Sequence, residues 1–550
     1  MSMKASDTKP VESMKASDTK PVEIPLRDYA FVRASLLARH EIALLDVREE
    51  DPHAQAHPLF AANFPLARLE LDAYAKLPRR DVPIVTFDDG ANDRTAMLAA
   101  ARLRALGYSD VSVFRDGLQG WIAAGGEVFR DVNVPSKSFG ELVESKRHTP
   151  SLSAEEVQSL IEAKADVVIV DARRFDEYQT MSIPTAVSCP GAELVLRVPD
   201  LAPRPETRVI VNCAGRTRSI IGTQSLINAG LPNPVSALRN GTIGWTLAGQ
   251  TLDKGQQRQA GAPAPSSVTV AARRAQDVAN RAGVRRATLA DAQAWQAQEG
   301  RTTYFFDART PEEFAAGHLP GFRSTPGGQL VQETEMVAPV RGARILLVDT
   351  DGVRANMTAS WLAQMAWDVY VLDGVTRDDL TQAGSGWAPL PPTPAHRSLS
   401  VADFAVAMRD PADLLVIDLA RHAQYVQGHI PGAWFALRSQ LTRALEQMPS
   451  APRVVITCPD GLLCAYAAPD VSAAIGREVE VLAGGTNAWK AAGHPLEQGP
   501  TRLASPPLDR YKRPYEGTNN AREAMQGYLD WEFGLVEQLR RDGTHHFTVI

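Results

Sequence analysis

The chain has 550 residues, of which 44% are hydrophobic and 22% are charged, and its formal net charge is -6. That composition is typical of a soluble globular protein, and the length suits about four domains of ordinary size. The small negative charge gives no electrostatic reason to expect nucleic acid or an anionic membrane as a partner, and no segment approaches the ~20 apolar residues of a membrane span.

The N-terminal segment, residues 1–23, contains the same run of residues twice in succession, at 2–12 and 13–23, and has no apolar signal-peptide core. We expect it to be a disordered leader. Cysteine is sparse, with only Cys189, Cys213, Cys458 and Cys464 in the whole chain. Such usage argues against a disulfide framework and predicts a reducing compartment, the cytoplasm.

Four copies of one pattern follow the leader. In each copy an apolar run ends at an aspartate, and a second apolar run ends later at the start of a loop. The aspartates are Asp46, Asp171, Asp307 and Asp418, and the loops begin at Asp88, Cys213, Asp349 and Cys458. The separations from aspartate to loop are 42, 42, 42 and 40 residues. Consecutive loops are 125, 136 and 109 residues apart. These spacings are domain-sized, so the chain is predicted to hold four tandem homologous domains.

Each domain alternates short apolar runs with helical stretches. In the second domain 167–170 and 209–211 are predicted strands, and 219–230 is a predicted helix that stops at Gly230 and Pro232. Three domains close on a tryptophan, namely Trp121, Trp245 and Trp489, and the third has only Asp373-Gly374 at that place. This alternation predicts an α/β fold in which a mainly parallel sheet is flanked by helices.

Composition also predicts the domain limits. A Gln-, Ala- and Pro-rich stretch begins at Gln256 and divides a front pair of domains from a back pair, and a Pro-rich break lies at 391–394. Beyond the last domain, 519–541 carries apolar residues on one helical face, which predicts a docked C-terminal helix. The predicted units are a leader 1–23, domains 24–135 and 147–255, a linker 256–285, domains 286–392 and 395–500, and a helical extension 501–550.

Together these motifs resemble the rhodanese family of sulfurtransferase domains, over about residues 24–500. The resemblance rests on the Asp-x-Arg strand ends, the Gly-His-x-Pro-Gly motifs at 317–321 and 428–432, the strand–Cys–loop–helix element, and the closing Gly-x-x-x-Trp. It implies four small α/β domains and a loop cysteine that carries sulfur as a persulfide, with no cofactor. Multidomain relatives commonly keep some domains catalytically silent.

The loop that starts at Cys213 has the chemistry for sulfur transfer. A loop that leads into a helix N-terminus directs backbone N–H groups and the helix dipole at one point, so we expect a lowered pKa for the Cys213 thiol. Arg216 and Arg218 can supply positive charge for a sulfonate or sulfite group. Cys213 is therefore the predicted nucleophile, and the predicted substrate-binding residues are Ala214, Gly215, Arg216, Thr217, Arg218 and Ser219.

The other loops differ at the decisive positions. Asp88 and Asp349 cannot form a persulfide, so domains one and three are predicted to be silent. Domain four keeps Cys458 and Gly461 as a second candidate site, but Leu463 replaces the arginine and Asp460 opposes a thiolate.

Several further residues are assigned by context. Cys464 is either a resolving partner for Cys458 or a plain helical cysteine, and Cys189 is expected to be structural. Arg173 and Trp245 are candidates for the wall of the Cys213 pocket, although Trp245 is also a candidate core residue. For His318 and His429 the shared motif favours a packing or turn role over a metal site.

The predicted function is transfer of sulfane sulfur from thiosulfate, or a similar donor, to an acceptor such as cyanide or a thiol. A persulfide carrier or scaffold that serves a protein acceptor is the main alternative. A 3-mercaptopyruvate sulfurtransferase and a phosphate- or arsenate-handling enzyme are weaker ones, since the phosphatase-type loop is one residue longer than the loop from Cys213 to Arg218. The protein is expected to be a monomer or a homodimer.

Overall fold

The computed structural model describes residues 23–90, 94–386 and 388–550. The expected leader falls almost wholly on 1–22, outside these ranges. Four sheets account for the body of the protein, as predicted. Their strand orders are β1-β5-β4-β2-β14 with β3 beside β2, then β6-β10-β9-β7-β8, β11-β16-β15-β12-β13 and β17-β21-β20-β18-β19, where strands are numbered along the chain.

Domain one has the strands β1 Leu26–Arg27, β2 Ile42–Asp46, β3 Ala62–Asn63, β4 Ile84–Phe87 and β5 Val111–Phe114. Its helices are α1 Tyr29–Leu37, α2 Glu50–Gln55, α3 Leu69–Lys76, α4 Thr95–Ala105 and α5 Gly117–Ala123. A longer helix, α6 Val134–Arg147, leads to domain two and packs against its loop helix.

Domain two has the strands β6 Ser151–Leu152, β7 Val167–Asp171, β8 Val187–Ser188, β9 Arg208–Asn212 and β10 Val235–Leu238. Its helices are α7 Ala154–Glu162, α8 Phe175–Thr180, α9 Leu194–Leu201, α10 Thr217–Asn228 and α11 Gly241–Leu247. The predicted strands and the predicted helix of this domain are therefore present, and α10 begins two residues earlier than the sequence indicated.

The expected linker 256–285 contains a helix, α12 Pro265–Arg281. Pro265 lies in the first turn of α12, where its missing N–H costs nothing. This helix buries Ala271, Ala275 and Val278, and it packs on α9 of domain two and on a helix of domain three. The segment therefore joins two domains as a structural element.

Domain three has the strands β11 Arg285–Ala287, β12 Thr303–Asp307, β13 Arg323–Ser324, β14 Val340–Arg341, β15 Arg344–Val348 and β16 Asp368–Leu372. Its helices are α13 Leu289–Gln296, α14 Pro311–Ala316, α15 Gly327–Gln332, α16 Thr334–Val337 and α17 Arg354–Gln364. The partial closing motif of this domain ends in a 3-10 turn, Arg377–Asp379, at the place where the other domains have a helix.

Domain four has the strands β17 Arg397–Leu399, β18 Leu414–Asp418, β19 Trp434–Phe435, β20 Arg453–Thr457 and β21 Glu480–Leu482. Its helices are α18 Val401–Ala407, α19 His422–Gln427, α20 Leu441–Leu445, α21 Leu462–Ile475 and α22 Gly485–Ala491. The C-terminal extension is helical as predicted, but it forms two helices that meet at Gly534: α23 Arg522–Phe533 and α24 Leu535–Asp542.

The paired strands of each sheet run parallel, with one exception among those described. Strand β14 of domain three adds antiparallel to β2 of domain one, with Val340 opposite Ala43. Glu41 reinforces this junction by binding Arg301 at 2.9 Å. Domains one and three therefore share a sheet, although the linker places them in different pairs along the chain.

The repeated Asp-x-Arg motif forms a buried ion pair at the end of the second strand. In domain two, Arg173 Nε donates to Asp171 Oδ1 at 2.9 Å, and Asn212 Nδ2 donates to the other carboxylate oxygen at 2.8 Å. Domain four has Ala420 in place of the arginine, and burial raises the pKa of Asp418 to about 7. Asp171 thus links the ends of the adjacent strands β7 and β9 at the start of the Cys213 loop.

Candidate functional site

Cys213 follows the C-terminal end of β9, at the centre of its sheet, and the next residues enter α10. Its side chain is buried, and the thiol donates to Ser219 Oγ at 3.4 Å. Ser219 Oγ in turn donates to the Arg216 carbonyl at 2.8 Å. The carbonyl of Cys213 accepts from the Thr242 amide at 2.9 Å, and a Cβ on Gly241 would overlap that carbonyl oxygen, so the glycine is needed there.

The predicted lowering of the Cys213 pKa is wrong for this closed arrangement. Burial raises the pKa of the thiol, and the nearby Glu532 raises it further. Arg218 and the side chain and backbone of Ser219 act in the opposite direction without reversing the result. The cause lies outside the loop, because chain segments distant in sequence cover Cys213 and exclude water.

Arg218 lies in a two-pronged ion pair and not in open solvent. Its guanidinium donates to the two carboxylate oxygens of Glu177 at 2.7 and 3.0 Å. Burial raises the pKa of Glu177, but Arg218 more than offsets this, and the pKa lies at about 2. The arginine thus keeps its charge near Cys213, while Glu177 occupies one donor on each of its two terminal nitrogens.

Arg216 is also paired. It donates to Glu141 at 2.7 and 2.9 Å and to Glu144 at 2.6 Å, and its guanidinium lies 4.3 Å from the centre of the Phe533 ring. These contacts connect the Cys213 loop to α6 and to the C-terminal extension. Arg216 therefore anchors the loop between two other parts of the chain.

A small cavity of about 20 Å³ adjoins Cys213, which is room for about one water molecule. Four separate parts of the chain line it: α6, the Cys213 loop, α15 of domain three and the C-terminal extension. The lining residues are Ser136, Lys137, Cys213, Ala214, Gly215, Arg216, Thr217, Arg218, Gln332, Tyr515 and Tyr528. The structure thus brings together all the predicted loop residues except Ser219, which instead contacts the sulfur directly.

The C-terminal extension covers the loop. A Cβ on Gly215 would lie 3.1 Å from the Tyr528 ring and 3.4 Å from Glu532 Oε2. Tyr528 donates to Glu532 Oε1 at 2.8 Å, and burial raises the pKa of Glu532 to about 8. The Glu532 carboxyl group is therefore mostly protonated at neutral pH, and it repels an anion on Cys213 only when it ionises at higher pH.

Lys137 brings a third positive charge to the cavity. Its ammonium group lies 2.6 Å from Asp131 and 5.1 to 5.6 Å from the ring centres of Tyr515, Tyr528 and Trp531. Sequence reasoning missed this lysine, Ser136, Gln332 and the two tyrosines. The only available signal was the apolar face predicted for the C-terminal helix, which indicated docking but not the surface that it contacts.

Arg173 and Trp245 do not line this cavity, which corrects the expectation that they could form its wall. Arg173 instead donates to Asp171 at 2.7 Å and to the carbonyl of Met181 at 2.6 Å. Trp245 is fully buried in a core cluster of domain two, and its Nε1 donates to the Thr251 carbonyl at 2.9 Å. Both residues stabilise domain two.

The loops of domains one and three hold an aspartate where domain two holds a thiol, and burial together with the neighbouring Asp351 raises the pKa of Asp349 to about 7. Asp349 accepts from the amides of Gly352 and Ala355 at 2.9 and 2.7 Å, and Ala355 stands at the same loop position as Ser219. Asp88 likewise accepts from the amides of Gly90 and Ala96, both at 2.9 Å. In both domains these amides therefore donate to the aspartate side chain of their own loop.

Domain four retains the thiol in a different setting. Hydrogen bonding to the Cys464 side chain lowers the pKa of Cys458, against burial and the charge of Asp460. Cys458 Sγ lies 3.8 Å from Asp460 Oδ1, and Leu463 is buried where domain two has Arg218. The structure therefore places Cys464 beside Cys458, and the loop lacks a nearby arginine at that position.

The remaining candidates have packing roles. The imidazoles of His318 and His429 stack on Phe314 and Tyr425, and each Nδ1 lies within 2.9 Å of the carbonyl of its stacking partner. Cys189 is fully buried in the core of domain two. In the ranges that the structure describes, no cluster of three or more His, Cys, Asp or Glu could hold a metal ion, and no helix has the length and apolar character to cross a bilayer.

The fold and the site together define a tandem α/β protein in which the C-terminal end of a central strand presents a thiol to the N-terminus of a helix. The family model for the rhodanese-like domain matches residues 33–124, 153–248, 288–376 and 400–492. The chain belongs to this family.

Two relatives are informative. A crystal structure of thiosulfate sulfurtransferase from Pseudomonas aeruginosa is 63% identical and superposes with a TM-score of 0.94, covering 96% of this chain and all of that one. An HTH-type transcriptional regulator from Mycobacterium tuberculosis is 32% identical over 93 residues, which is 16% of this chain and 41% of the regulator. The chain thus spans less than half the length of that regulator but the whole length of the Pseudomonas protein.

Proposed function

We propose that the protein is a sulfurtransferase that moves sulfane sulfur from thiosulfate, or a similar donor, to a thiophilic acceptor through a persulfide on Cys213. The observation that carries the proposal is the Cys213 thiol itself. The thiol lies at the loop position, before the helix N-terminus, where domains one and three have the side chains of Asp88 and Asp349. The likeness to a thiosulfate sulfurtransferase along the whole chain supports the same reaction.

In the proposed cycle, the Cys213 thiolate attacks the outer sulfur of thiosulfate. The S–S bond of the donor breaks, and sulfite leaves with the electron pair. The acceptor then attacks the outer sulfur of the persulfide and releases the Cys213 thiolate. The side chain and backbone amide of Ser219 stabilise negative charge on the sulfur, and Arg218 contributes its positive charge.

Binding of the donor has to open space beside Cys213 and favour ionisation of its thiol, because the closed pocket provides neither. Burial raises the pKa of Cys213, and the adjoining cavity holds about 20 Å³, less than thiosulfate needs. We therefore propose that donor binding displaces the cover formed by Tyr528 and Tyr515, and that Lys137 and the amides of residues 214–218 receive the sulfonate group. Loss of the cover rehydrates the thiol and favours its ionisation.

Domain four is a second candidate for sulfur loading. The observation in its favour is the lowered pKa of Cys458, which its neighbour Cys464 produces. The carrier alternative remains compatible with this arrangement, since a persulfide on either cysteine could pass to a protein acceptor. We propose the cytoplasm as the location, supported by the four free cysteines.

Intact-protein mass spectrometry after exposure to thiosulfate tests the proposal. Wild type should gain the mass of a sulfur atom at Cys213, and cyanide should remove it with the formation of thiocyanate. Cys213→Ser should lose this turnover, and Cys458→Ser is the matched control because it removes the other loop thiol. Turnover that survives in Cys213→Ser and disappears in Cys458→Ser would transfer the reaction to domain four.

A further inference from the structure

A cavity of about 710 Å³ lies between domains two and three, next to the Cys213 site. One wall is formed by α10 of domain two and the other by α15 and α17 of domain three. Its volume falls within the range of about 300–1,000 Å³ that is typical of small-molecule sites. Cyanide and thiosulfate would leave most of this space empty.

The lining is largely apolar. Phe139, Phe175, Ile221, Met357 and Trp361 all contribute to it. Most of the charged side chains around it lie in ion pairs, as in Arg197 with Glu193 at 2.6 Å and Arg174 with Asp176 at 2.9 Å. The surroundings thus suit a ligand with an apolar body and no need for an unpaired charge.

Three polar atoms of the lining have no hydrogen-bond partner among the described residues. They are Thr217 Oγ1, Gln332 Oε1 and Thr358 Oγ1, and the residue Thr358 is only 2% exposed. Buried polar groups in native proteins are nearly always paired. Each of these atoms is itself screened from solvent, so a ligand that carries hydrogen-bonding groups can pair with the two hydroxyl groups and the amide oxygen only when the side chains around them move.

The cavity reaches the reactive loop. Ser136, Thr217, Arg218 and Gln332 line both this cavity and the small one at Cys213. The two spaces are thus separated by single side chains. A ligand that fills the larger cavity can direct a terminal thiol at the Cys213 sulfur when these side chains move.

We propose that this cavity binds the sulfur acceptor, an organic thiol with an apolar body and at least one hydrogen-bonding group. The inference rests on the function proposed above. The acceptor thiolate attacks the outer sulfur of the Cys213 persulfide, and a new S–S bond forms on the acceptor. The S–S bond to Cys213 breaks, its electron pair stays on the Cys213 sulfur, and the proton of the acceptor thiol ends on that sulfur.

The first test fills the cavity. Val331→Trp places an indole in the space, and Val406→Trp is the matched control because Val406 is 59% exposed in domain four. With phenylethanethiol as acceptor, Val331→Trp should raise KM by at least ~10-fold, the effect of losing a buried apolar contact. Turnover with cyanide and the behaviour of Val406→Trp should match wild type. An equal loss with cyanide and phenylethanethiol, or no loss with either, would overturn the proposal.

The second test removes one unpaired hydroxyl group, that of Thr358, and keeps the shape of the side chain. Wild type should prefer hydroxyphenylethanethiol to phenylethanethiol, and Thr358→Val should lose that preference while retaining its fold and its turnover with cyanide. An unchanged preference in Thr358→Val, with binding also unaffected by Val331→Trp, would place the acceptor elsewhere.

Binding is measured separately from sulfur transfer by calorimetry of phenylethanethiol with Cys213→Ser. Saturable binding that Val331→Trp abolishes supports the site, and absence of binding overturns it even if cyanide is turned over. Failure of all turnover with cyanide would instead overturn the proposed function, which this binding measurement does not require.

Discussion

Replacement of Arg218 should have two effects that can be measured separately, one on the free energy of unfolding and one on the rate of sulfur transfer. Arg218 holds the pKa of Glu177 at about 2, against an ordinary value of 4.5. That depression corresponds to roughly 3 kcal/mol of stability at neutral pH. Arg173 and Arg174 also lower the pKa of Glu177, so Arg218→Met should lower the free energy of unfolding by at most about this amount. Because the pKa of Glu177 is lowered on folding, the contribution is present above pH 4.5, and the difference from wild type should vanish as the pH falls through about 2.

The same substitution should affect catalysis through Cys213. Arg218 favours the thiolate, so its loss raises the pKa of Cys213 further. We expect kcat/KM for thiosulfate to fall by roughly 10-fold or more at neutral pH, the effect of a lost charge-assisted contact of ~1–3 kcal/mol. The pH at which kcat/KM reaches half its maximum should move upward. Urea unfolding and the pH profile of thiocyanate formation measure the two effects.

Domain three provides a matched control. Arg354 stands at the same loop position and binds both carboxylate oxygens of Glu313, one of them at 2.8 Å, but the loop begins with Asp349. Arg354→Met should therefore reduce stability and leave kcat/KM nearly unchanged. Equal losses of kcat/KM in the two variants, or full activity in Arg218→Met, would refute a direct role for the Arg218 charge.

Three further predictions concern the surroundings of the loops. Asp349→Ala removes two hydrogen bonds from loop amides and should lower the free energy of unfolding in urea by about 0.5–2 kcal/mol. Thiocyanate formation should be unchanged, and a collapse of turnover would give domain three a catalytic role. Tyr528→Ala opens the space over Gly215, so Cys213 should react faster with iodoacetamide at neutral pH, and an unchanged rate would show that the tyrosine does not shield the thiol. Burial raises the pKa of Asp418 to about 7, so the contribution of this group to stability is lost as the pH rises from about 4 through 7. Asp418→Asn should reduce the loss of stability over this range without abolishing it, because burial also raises the pKa of Glu49 and Glu335 to about 7. Equal pH dependence of the two proteins would contradict this prediction.

The sequence predicted the parts of the fold that depend on neighbours along the chain. Apolar runs in alternation with helical stretches indicated the four mainly parallel sheets. The nearly constant spacing from Asp171 to Cys213 and between their three pairs of counterparts indicated the domain count. The identity of the first loop residue separated Cys213 from Asp88 and Asp349 without a structure. These signals are local, because strand order, loop position and helix start are fixed within about a hundred residues.

Only the tertiary structure decided what surrounds the thiol. Lys137, Gln332 and Tyr528 lie more than 70 residues from Cys213 in the sequence, and they meet it through docking between domains. The pKa of Cys213 was predicted in the wrong direction for the same reason, since the loop by itself favours a thiolate but the cover removes water. Residue types at the N-terminus of one helix fix the local charge, whereas solvation depends on every segment that packs there, and the sequence pattern contains no record of those distant contacts.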